Sequence, residues 1–249
     1  MSDLEHTTLD TKPRILQLAI QLFAQKGPDA VGIREIAAAA NVSLNTVMYH
    51  FKSKENLYNQ TLLYVLSQIR NQDSIIAKNK PHDPSDPLQV ANAIANTFND
   101  FMMDLIQDHK MQFVDLLARA IYSQQPAAQQ IILDVPDTIP QLLFDYIKPA
   151  APNTNLGEIH FLINIFWTQA ILYISGRTLI NIKNQRPVDS QIPAIAYKHA
   201  AFQLSILFCR HINLPDPQKS DELQSTSYTA EQGPFSNTNI NTQAQTSVI

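Results

Sequence analysis

The chain has 249 residues, of which 45% are hydrophobic and 16% are charged, and its formal net charge is -4. This hydrophobic fraction supports a buried core and excludes a chain that is disordered throughout. The single cysteine, Cys209, excludes an intramolecular disulfide and a cysteine-based zinc cluster, and the apolar run around it favours burial.

The first eleven residues are polar and acidic, and they lack the basic and apolar regions of a secretory signal peptide. We expect residues 1–11 to form a flexible tail and the protein to be cytoplasmic. Residues 12–58 carry six lysines and arginines against three acids, whereas residues 59–249 carry twelve against sixteen. Because local charge decides where a polyanion docks, residues 12–58 are the expected docking region for one.

Helical spacing dominates the chain. Glycine is scarce, alternating strand patterns are missing, and apolar residues recur three and four positions apart. We therefore predict an all-α fold of about nine helices, with an N-terminal three-helix domain at 12–58 and a helical bundle at 59–213. The predicted helices span 12–26, 33–40, 44–51, 54–77, 87–107, 110–123, a pair around 127–148, 156–183 and 191–213.

The composition changes abruptly beyond Leu214, where half of the residues are Ser, Thr, Asn or Gln. Few large apolar side chains remain there to offset the entropy that ordering would cost. We therefore predict a disordered tail at 214–249.

Residues 33–51 have the residue types that a helix-turn-helix requires at fixed offsets. Ala37 is small where two short helices would cross closely, and Asn41 lies at the turn, where a left-handed backbone favours glycine or asparagine. Ser43 can cap the second helix, whose N-terminal side chains would then enter the major groove of DNA. The apolar residues between the two helices are Ile36, Val42 and Val47.

Over residues 12–58 the chain resembles the DNA-binding domain of the TetR (tetracycline-repressor-like) family. The matching fragments are Arg14-Ile-Leu-Gln-Leu-Ala-Ile-Gln-Leu-Phe-Ala-Gln-Lys-Gly27, Ile33-Arg-Glu-Ile-Ala37, Asn41-Val-Ser43 and Tyr49-His-Phe-Lys-Ser-Lys-Glu-Asn-Leu57. Two positions depart from the family pattern: Asn41 replaces the turn glycine, and Gly32 replaces the Ser or Thr that caps the helix at 33–40. Asparagine tolerates the left-handed turn, and a glycine cap costs only roughly a few tenths of a kcal/mol relative to serine.

The resemblance implies a recognition helix at 44–51. The residues placed to reach base edges are Leu44, Asn45, Met48 and Tyr49, of which Asn45 can pair with adenine. The residues suited to phosphate contacts are Arg34, Ser43, Thr46, His50, Lys52 and Lys54. Tyr49 can fill either role, and ordinary bundle packing of 33–51 is the alternative to DNA binding.

The resemblance also implies a homodimer on a palindromic operator in double-stranded DNA, with two recognition helices about one helical turn apart. The apolar run 159–174 and the last helix resemble the family's four-helix dimer interface. The apolar residues of the last helix are Ile195, Ala201, Phe202, Leu204, Ile206, Leu207 and Phe208. The run 159–174 is short for a segment that crosses a bilayer, and it contains polar residues. We therefore expect it to be buried between subunits rather than to span a membrane.

Large apolar and aromatic side chains are frequent in the middle helices. They either pack in the hydrophobic core or line a pocket. By resemblance to the family, a ligand cavity would involve Phe101, Met102, Leu105, Phe113, Leu117, Trp167 and Tyr173. The expected function is a repressor that a small, largely apolar effector of unknown identity releases from its operator.

Two other classes of function are weighed against this one. An all-α enzyme is disfavoured, because the sequence lacks a phosphate-binding glycine-rich loop, paired zinc ligands and a nucleophile motif. The histidines show no ligand spacing, so neither a metal nor a cofactor is expected. The remaining alternative is a helical protein-interaction module with a vestigial helix-turn-helix, which a DNA-binding assay would distinguish.

Overall fold

A computed structural model describes residues 11–70, 72–123, 125–135 and 137–225. All regular structure within these residues is helical, which confirms the predicted all-α fold. The helices are α1 (Thr11–Lys26), α2 (Ile33–Ala39), α3 (Leu44–Phe51), α4 (Lys54–Arg70), α5 (Asp73–Asn79), α6 (Pro87–Leu105), α7 (Asp108–Tyr122), α8 (Pro126–Asp134), α9 (Ile139–Ile147), α10 (Leu156–Ser175), α11 (Arg177–Lys183), α12 (Ala194–His211) and α13 (Asp221–Ser225).

Helices α1, α2 and α3 form the N-terminal three-helix unit. The buried residues of α1, among them Ile15, Ala19 and Phe23, follow the predicted helical spacing. The helix ends before Gly27, whose φ of 82° lies in the left-handed region that glycine adopts without strain. Thr11 is buried and opens α1, so it belongs to the helix rather than to the expected tail. The rest of that tail lies outside the described residues.

The stretch predicted as one helix at 54–77 is two helices, α4 and α5. Before α5 begins, Gln72 is buried, and its side-chain amide donates a hydrogen bond to Asp104 at 2.9 Å. Asp104 also accepts two hydrogen bonds from the Lys110 ammonium, at 2.6 and 2.7 Å. A contact between residues 32 positions apart therefore accompanies the break, and local sequence carries no signal for it.

The predicted helix at 156–183 is also divided, because the chain bends by 60° between α10 and α11. A side chain at Gly176 would start 2.6 Å from the carbonyl oxygen of Leu172, so the bend depends on glycine. Asn155 and Glu158 define the start of α10 through a reciprocal capping box. Among the described residues no single helix is long and apolar enough to cross a bilayer, and α10 and α11 meet that test only together, across their bend.

Aromatic side chains from three long helices meet inside the bundle. The ring centroid of Phe98 in α6 lies 4.2 Å from that of Phe166 in α10 and 5.3 Å from that of Phe208 in α12. Phe101 stacks on Trp167 at 5.4 Å. Each such pair contributes about 0.5–1.5 kcal/mol beyond its buried area, so these contacts hold α6, α10 and α12 together.

Helix α12 packs one of its faces against α6. The buried residues of α12 are Ala196, Tyr197, Ala201, Phe202, Ser205, Phe208 and Cys209. Three residues expected to face a second subunit, Ala201, Phe202 and Phe208, therefore lie inside the chain, whereas Leu207 is 63% exposed. The burial of Cys209 agrees with its apolar surroundings in the sequence.

Residues 214–225 pack against the bundle, although their composition predicts a disordered tail. Helix α13 places Leu223 in a small apolar cluster with Ala95 and Phe202. The composition of the segment is misleading, because α6 and α12 supply most of the apolar surface that Leu223 covers. The rest of the predicted tail, 226–249, lies outside the described residues.

Candidate nucleic-acid interface

Helices α2 and α3 meet at a turn with the predicted backbone geometry. Asn41 has a φ of 50°, in the left-handed region. The Ser43 hydroxyl oxygen caps α3 by accepting a hydrogen bond from the backbone N–H of Thr46 at 3.1 Å. Ile36 and Val47 are buried between the helices. Residues 33–51 therefore have the geometry of a helix-turn-helix.

Helix α3 exposes large side chains on its outer face. Tyr49 is 73% exposed, and Leu44 and Met48 are each 38% exposed. Asn45 is exposed beside them. Because positions 44, 45, 48 and 49 share one side of a helix, the four residues predicted to reach base edges lie on one surface. The buried residues of α3 are Val47 and Phe51.

Most residues predicted to contact phosphates surround this surface. Arg34, Ser43 and Lys52 are exposed, and Thr46 and His50 are half-buried. The Lys52 ammonium lies 5.4 Å from the Tyr49 ring centroid, a cation–π distance. The tyrosine and its neighbouring positive charge therefore form one continuous exposed patch at the end of α3.

Lys54 is placed differently from the other predicted phosphate contacts. It opens α4 and is half-buried. Its ammonium donates to the carbonyl oxygen of Asp29 at 3.4 Å, which is long for such a hydrogen bond. The Ser53 hydroxyl caps α4 by accepting from the N–H of Asn56 at 3.0 Å. The positive end of α4 thus lies beside the loop between α1 and α2.

A cavity of about 180 Å³ lies between α4, α7, α8 and α10. Its lining residues are Leu66, Ile69, Leu117, Ile121, Tyr122, Ile132, Asp137, Asn164, Trp167, Thr168 and Ile171. The wall is mainly apolar, with Asp137, Asn164 and Thr168 as polar exceptions. Since an engineered cavity of about 150 Å³ holds benzene, this space suits a group of about one ring.

Two of the seven residues expected to bind a ligand, Leu117 and Trp167, line this cavity. The other five are buried in the core outside its lining: Phe101, Met102, Leu105, Phe113 and Tyr173. Phe101 supports the cavity indirectly, because it stacks against Trp167. Helical spacing marks these residues as inward-facing, but it does not distinguish a lining position from a core position.

Comparisons with known proteins agree with this geometry. The family described as "Bacterial regulatory proteins, tetR family" matches residues 15–61, which include α2, α3 and the turn between them. The "HTH-type transcriptional regulator AcrR" of Shigella flexneri is 30% identical over 142 residues, which cover 54% of this chain and 63% of that protein.

The chain is therefore similar to TetR-family regulators over residues 15–61, which contain its helix-turn-helix. A second relative, the "Biofilm operon icaADBC HTH-type negative transcriptional regulator IcaR" of Staphylococcus aureus (strain Newman), is 33% identical over 60 residues, 24% of this chain and 32% of that protein. The chain thus spans less than two thirds of each of these curated relatives. A TetR-like transcriptional regulator from Rhodococcus sp. RHA1 has the same fold, with a TM-score of 0.55 and 16% identity over 82% of this chain and 96% of that chain.

Sequence reasoning missed most of the residues that line the cavity of this chain. Asn164 and Thr168 are polar residues in an otherwise apolar helix. These polar positions were the one signal in the sequence for a cavity beside that helix. Asp137 lies between α8 and α9, so helical spacing says nothing about it. The remaining residues come from four separate segments, which only the tertiary structure brings together.

The helical bundle also exposes an apolar stripe on α10. Phe161, Ile165 and Leu172 are 58%, 40% and 50% exposed. On α12, Leu207 is 63% exposed, and the His211 ring lies 6.5 Å from the Phe161 ring. The exposed faces of α10 and α12 are therefore adjacent, and we call this set of five residues the α10–α12 face.

Proposed function

We propose that this chain is a TetR-family DNA-binding transcriptional regulator that binds a palindromic operator in double-stranded DNA as a homodimer. A small, largely apolar effector in the cavity releases it, so the chain is a ligand-responsive repressor. The observation that supports this proposal most directly is the exposed outer face of α3. Its large side chains Leu44, Met48 and Tyr49 need a partner surface to cover them. The major groove fits an exposed helix of this kind.

The proposed contacts divide into two kinds. Leu44, Asn45, Met48 and Tyr49 read base edges, because they share the outer face of α3. Phosphate contacts set the position of the helix without reading sequence. The residues proposed for them are Arg34, Ser43, Thr46, His50, Lys52 and Lys54.

The proposed homodimer forms through the α10–α12 face. Covering Phe161, Ile165, Leu172 and Leu207 with a second copy removes their apolar surface from water. A twofold dimer also matches the symmetry of a palindrome, with one recognition helix for each half-site.

The proposed effector acts through α4. Leu66 and Ile69, near the end of this helix, line the cavity, and Lys54 at its start directly follows the helix-turn-helix. A ligand that prefers a shifted α4 would move the two recognition helices off their half-site spacing. A preference of about 1–3 kcal/mol is the usual size of such coupling. The relative IcaR is a negative transcriptional regulator, which supports repression as the outcome.

Fluorescence anisotropy with an operator selected from random duplexes tests the base-reading role of Asn45. The Asn45→Ala variant removes an amide that can pair with adenine. We expect a loss of about 1–3 kcal/mol per half-site on the operator and little change on a scrambled duplex. Preference should relax at one symmetric pair of base positions.

The same titrations at several salt concentrations test the phosphate role of Lys54. A phosphate would displace the weak hydrogen bond between Lys54 and Asp29, because it offers a full negative charge. The Lys54→Ala variant should weaken binding to operator and scrambled duplex alike. In a dimer it should flatten the slope of log K against log salt by about two units, one per subunit.

Lys80→Ala is the matched control, since Lys80 is exposed in the loop between α5 and α6. It should leave the salt slope unchanged. Tyr49→Phe separates the two roles of Tyr49: it weakens binding to both duplexes if the hydroxyl binds a phosphate. If Lys54→Ala relaxed sequence preference and Asn45→Ala changed only the salt slope, the placement of α3 would be wrong. A selection that returned no preferred duplex would favour the protein-interaction module.

Effector release is testable through Trp167, which is the only tryptophan and lines the cavity. Small apolar ring compounds that enter the cavity should change its fluorescence. Those compounds should lower operator affinity about 5-fold or more. A compound that changes Trp167 emission and leaves operator affinity unchanged would contradict release by an effector.

A further inference from the structure

Arg119 connects the bundle to the end of α1. It lies on α7, and its guanidinium donates from Nε to the carbonyl oxygen of Ala24 at 2.7 Å and from Nη2 to that of Gln25 at 3.0 Å. These carbonyls belong to the last turn of α1, where carbonyl groups lack partners within the helix. The residue that would otherwise bond to Ala24 is Pro28, which has no N–H.

The charge and exposure of Arg119 suit a reversible contact. A guanidinium at a helix C-terminus interacts favourably with the negative end of the helix dipole. A Cβ atom at position 27 would lie 3.7 Å from Nη1, an ordinary van der Waals distance, so the guanidinium lies directly against the turn that ends α1. Arg119 is nevertheless exposed, and contacts of exposed charged groups contribute little to stability. The contact can therefore open without unfolding the helices it joins.

The opposite side of α7 forms a wall of the cavity. Leu117 and Ile121, on that side of α7, line the cavity. Arg119 is two residues from both Leu117 and Ile121, which is a rotation of about 200° around the helix axis. A shift of α7 caused by an occupant of the cavity therefore moves the guanidinium at the other side of the same helix.

An anchor one turn earlier restricts how α7 can move. Arg177 of α11 donates from its two terminal nitrogens to the two carboxylate oxygens of Asp115, at 2.7 Å each. This bidentate ion pair has a defined orientation and holds α7 four residues before Arg119. Movement at the cavity wall is thus directed toward the end of α7 that carries Arg119.

We propose that Arg119 is a positioning residue that transmits the state of the cavity to α1 and, through α1, to the helix-turn-helix. α1 packs against α2, α4 and α7, so a displacement of its last turn reaches the helix-turn-helix by direct contact. This inference rests on the proposed function in taking the cavity as the effector site. It adds a second connection to the one through α4.

A double-mutant cycle tests the proposal. It compares the unmodified chain, Thr168→Phe, Arg119→Ala and the double variant. Thr168 is exposed and lines the cavity, so Thr168→Phe occupies the space without disturbing the core. Hydrogen exchange of the backbone N–H groups of residues 23–27 measures opening of the last turn of α1. We expect Thr168→Phe to speed this exchange about 5-fold or more. In the Arg119→Ala background it should have no further effect.

Two further variants serve as controls. Ile132→Phe fills the cavity from α8, so it should act in the same way as Thr168→Phe. Arg210→Ala removes a matched exposed guanidinium, which donates to the two carboxylate oxygens of Asp216 at 2.7 and 2.6 Å. Its loss should leave exchange in α1 unchanged, because it lies at the end of α12.

Additive effects of Thr168→Phe and Arg119→Ala would give Arg119 a purely structural role and overturn the proposal. Two cavity-filling variants that leave exchange in α1 unchanged would overturn it as well. Operator binding, measured separately, distinguishes the two levels of inference. A non-additive cycle in a protein that binds no DNA would refute the proposed function and leave the role of Arg119 standing.

Discussion

Three positions near the helix-turn-helix show how the residue type relates to the local backbone conformation. Gly27 has a φ of 82° and Asn41 a φ of 50°, so both occupy the left-handed region. Gly32 has a φ of -93° and a ψ of 149°, an extended conformation open to any residue. Glycine is therefore needed at the end of α1 but not at the start of α2.

Gly32→Ser should stabilise the protein. The position is the N-cap of α2, no side chain caps it, and no atom lies within 4 Å of where the side chain would begin. A serine hydroxyl can accept a hydrogen bond from the backbone N–H of Arg34, and serine also reduces the entropy of the unfolded chain. We expect a gain of about 0.5–1 kcal/mol in the free energy of unfolding, measured by urea titration.

Gly27→Ala is the opposing control for that substitution. Its positive φ strains a residue with a Cβ atom, so we expect a loss of about 1–2 kcal/mol. Equal effects of the two substitutions on stability would contradict the assigned backbone conformations.

Cys209 should be unreactive in the folded protein. Burial raises the pKa of its thiol from 9.0 to about 12, so the thiol stays protonated at pH 8, and the thiolate is the reactive form. We expect Ellman's reagent to label no thiol in native protein and one per chain after denaturation. Rapid labelling of native protein at pH 8 would show that α12 is less buried than described.

Among the helices, α12 shows most clearly how neighbouring segments decide which residues are buried. One face packs against α6 and another carries Leu207 at 63% exposure. Residues 214–225 fold back over the bundle, where the backbone N–H of Gln218 donates to Asn92 at 2.7 Å. The Lys198 ammonium, on α12 itself, pairs with Glu222. The C-terminal segment is therefore attached to both α6 and α12.

Leu223→Ala should destabilise the protein, because this side chain is 7% exposed and packs on Ala95 and Phe202. We expect a loss of about 1–2 kcal/mol, less than at a central core site, and a thermal midpoint lower by about 2–8 °C. Leu133→Ala is the matched control, since Leu133 is 76% exposed and should change stability by less than about 0.5 kcal/mol. Equal effects would show that α13 does not pack on the bundle.

At the scale of the whole molecule, the α10–α12 face determines the proposed assembly. Leu207→Glu should leave the fold intact and convert dimers to monomers at micromolar concentration, because it puts a charge into the apolar contact. Operator affinity should fall with it, since each monomer reads one half-site. Light scattering and anisotropy measure the two effects.

Two further variants, Phe202→Glu and Leu133→Glu, are the controls for this test. Phe202 is 5% exposed inside its own chain, so a charge there should lower the thermal midpoint rather than yield folded monomers. Leu133 lies on α8, away from the α10–α12 face, and its substitution should preserve the dimer. An unmodified chain that is monomeric at micromolar concentration would contradict the proposed dimer.

The amino-acid sequence by itself determined the helix-turn-helix. Its signals are local: the small Ala37, the turn residue Asn41 and the cap Ser43 act on neighbours within a few residues, so residue type and spacing suffice. The same holds for the all-α class, which follows from helical spacing along the chain.

Only the tertiary structure decided which apolar faces are covered within the chain and which form the cavity. Phe202 and Leu207 look alike in a helical pattern, yet one packs on Ala95 and the other remains exposed. The contact between Arg119 and Ala24 spans 95 positions, and that between Gln72 and Asp104 spans 32. Contacts at such separations depend on how whole helices pack, and the pattern of any one helix is compatible with several packings.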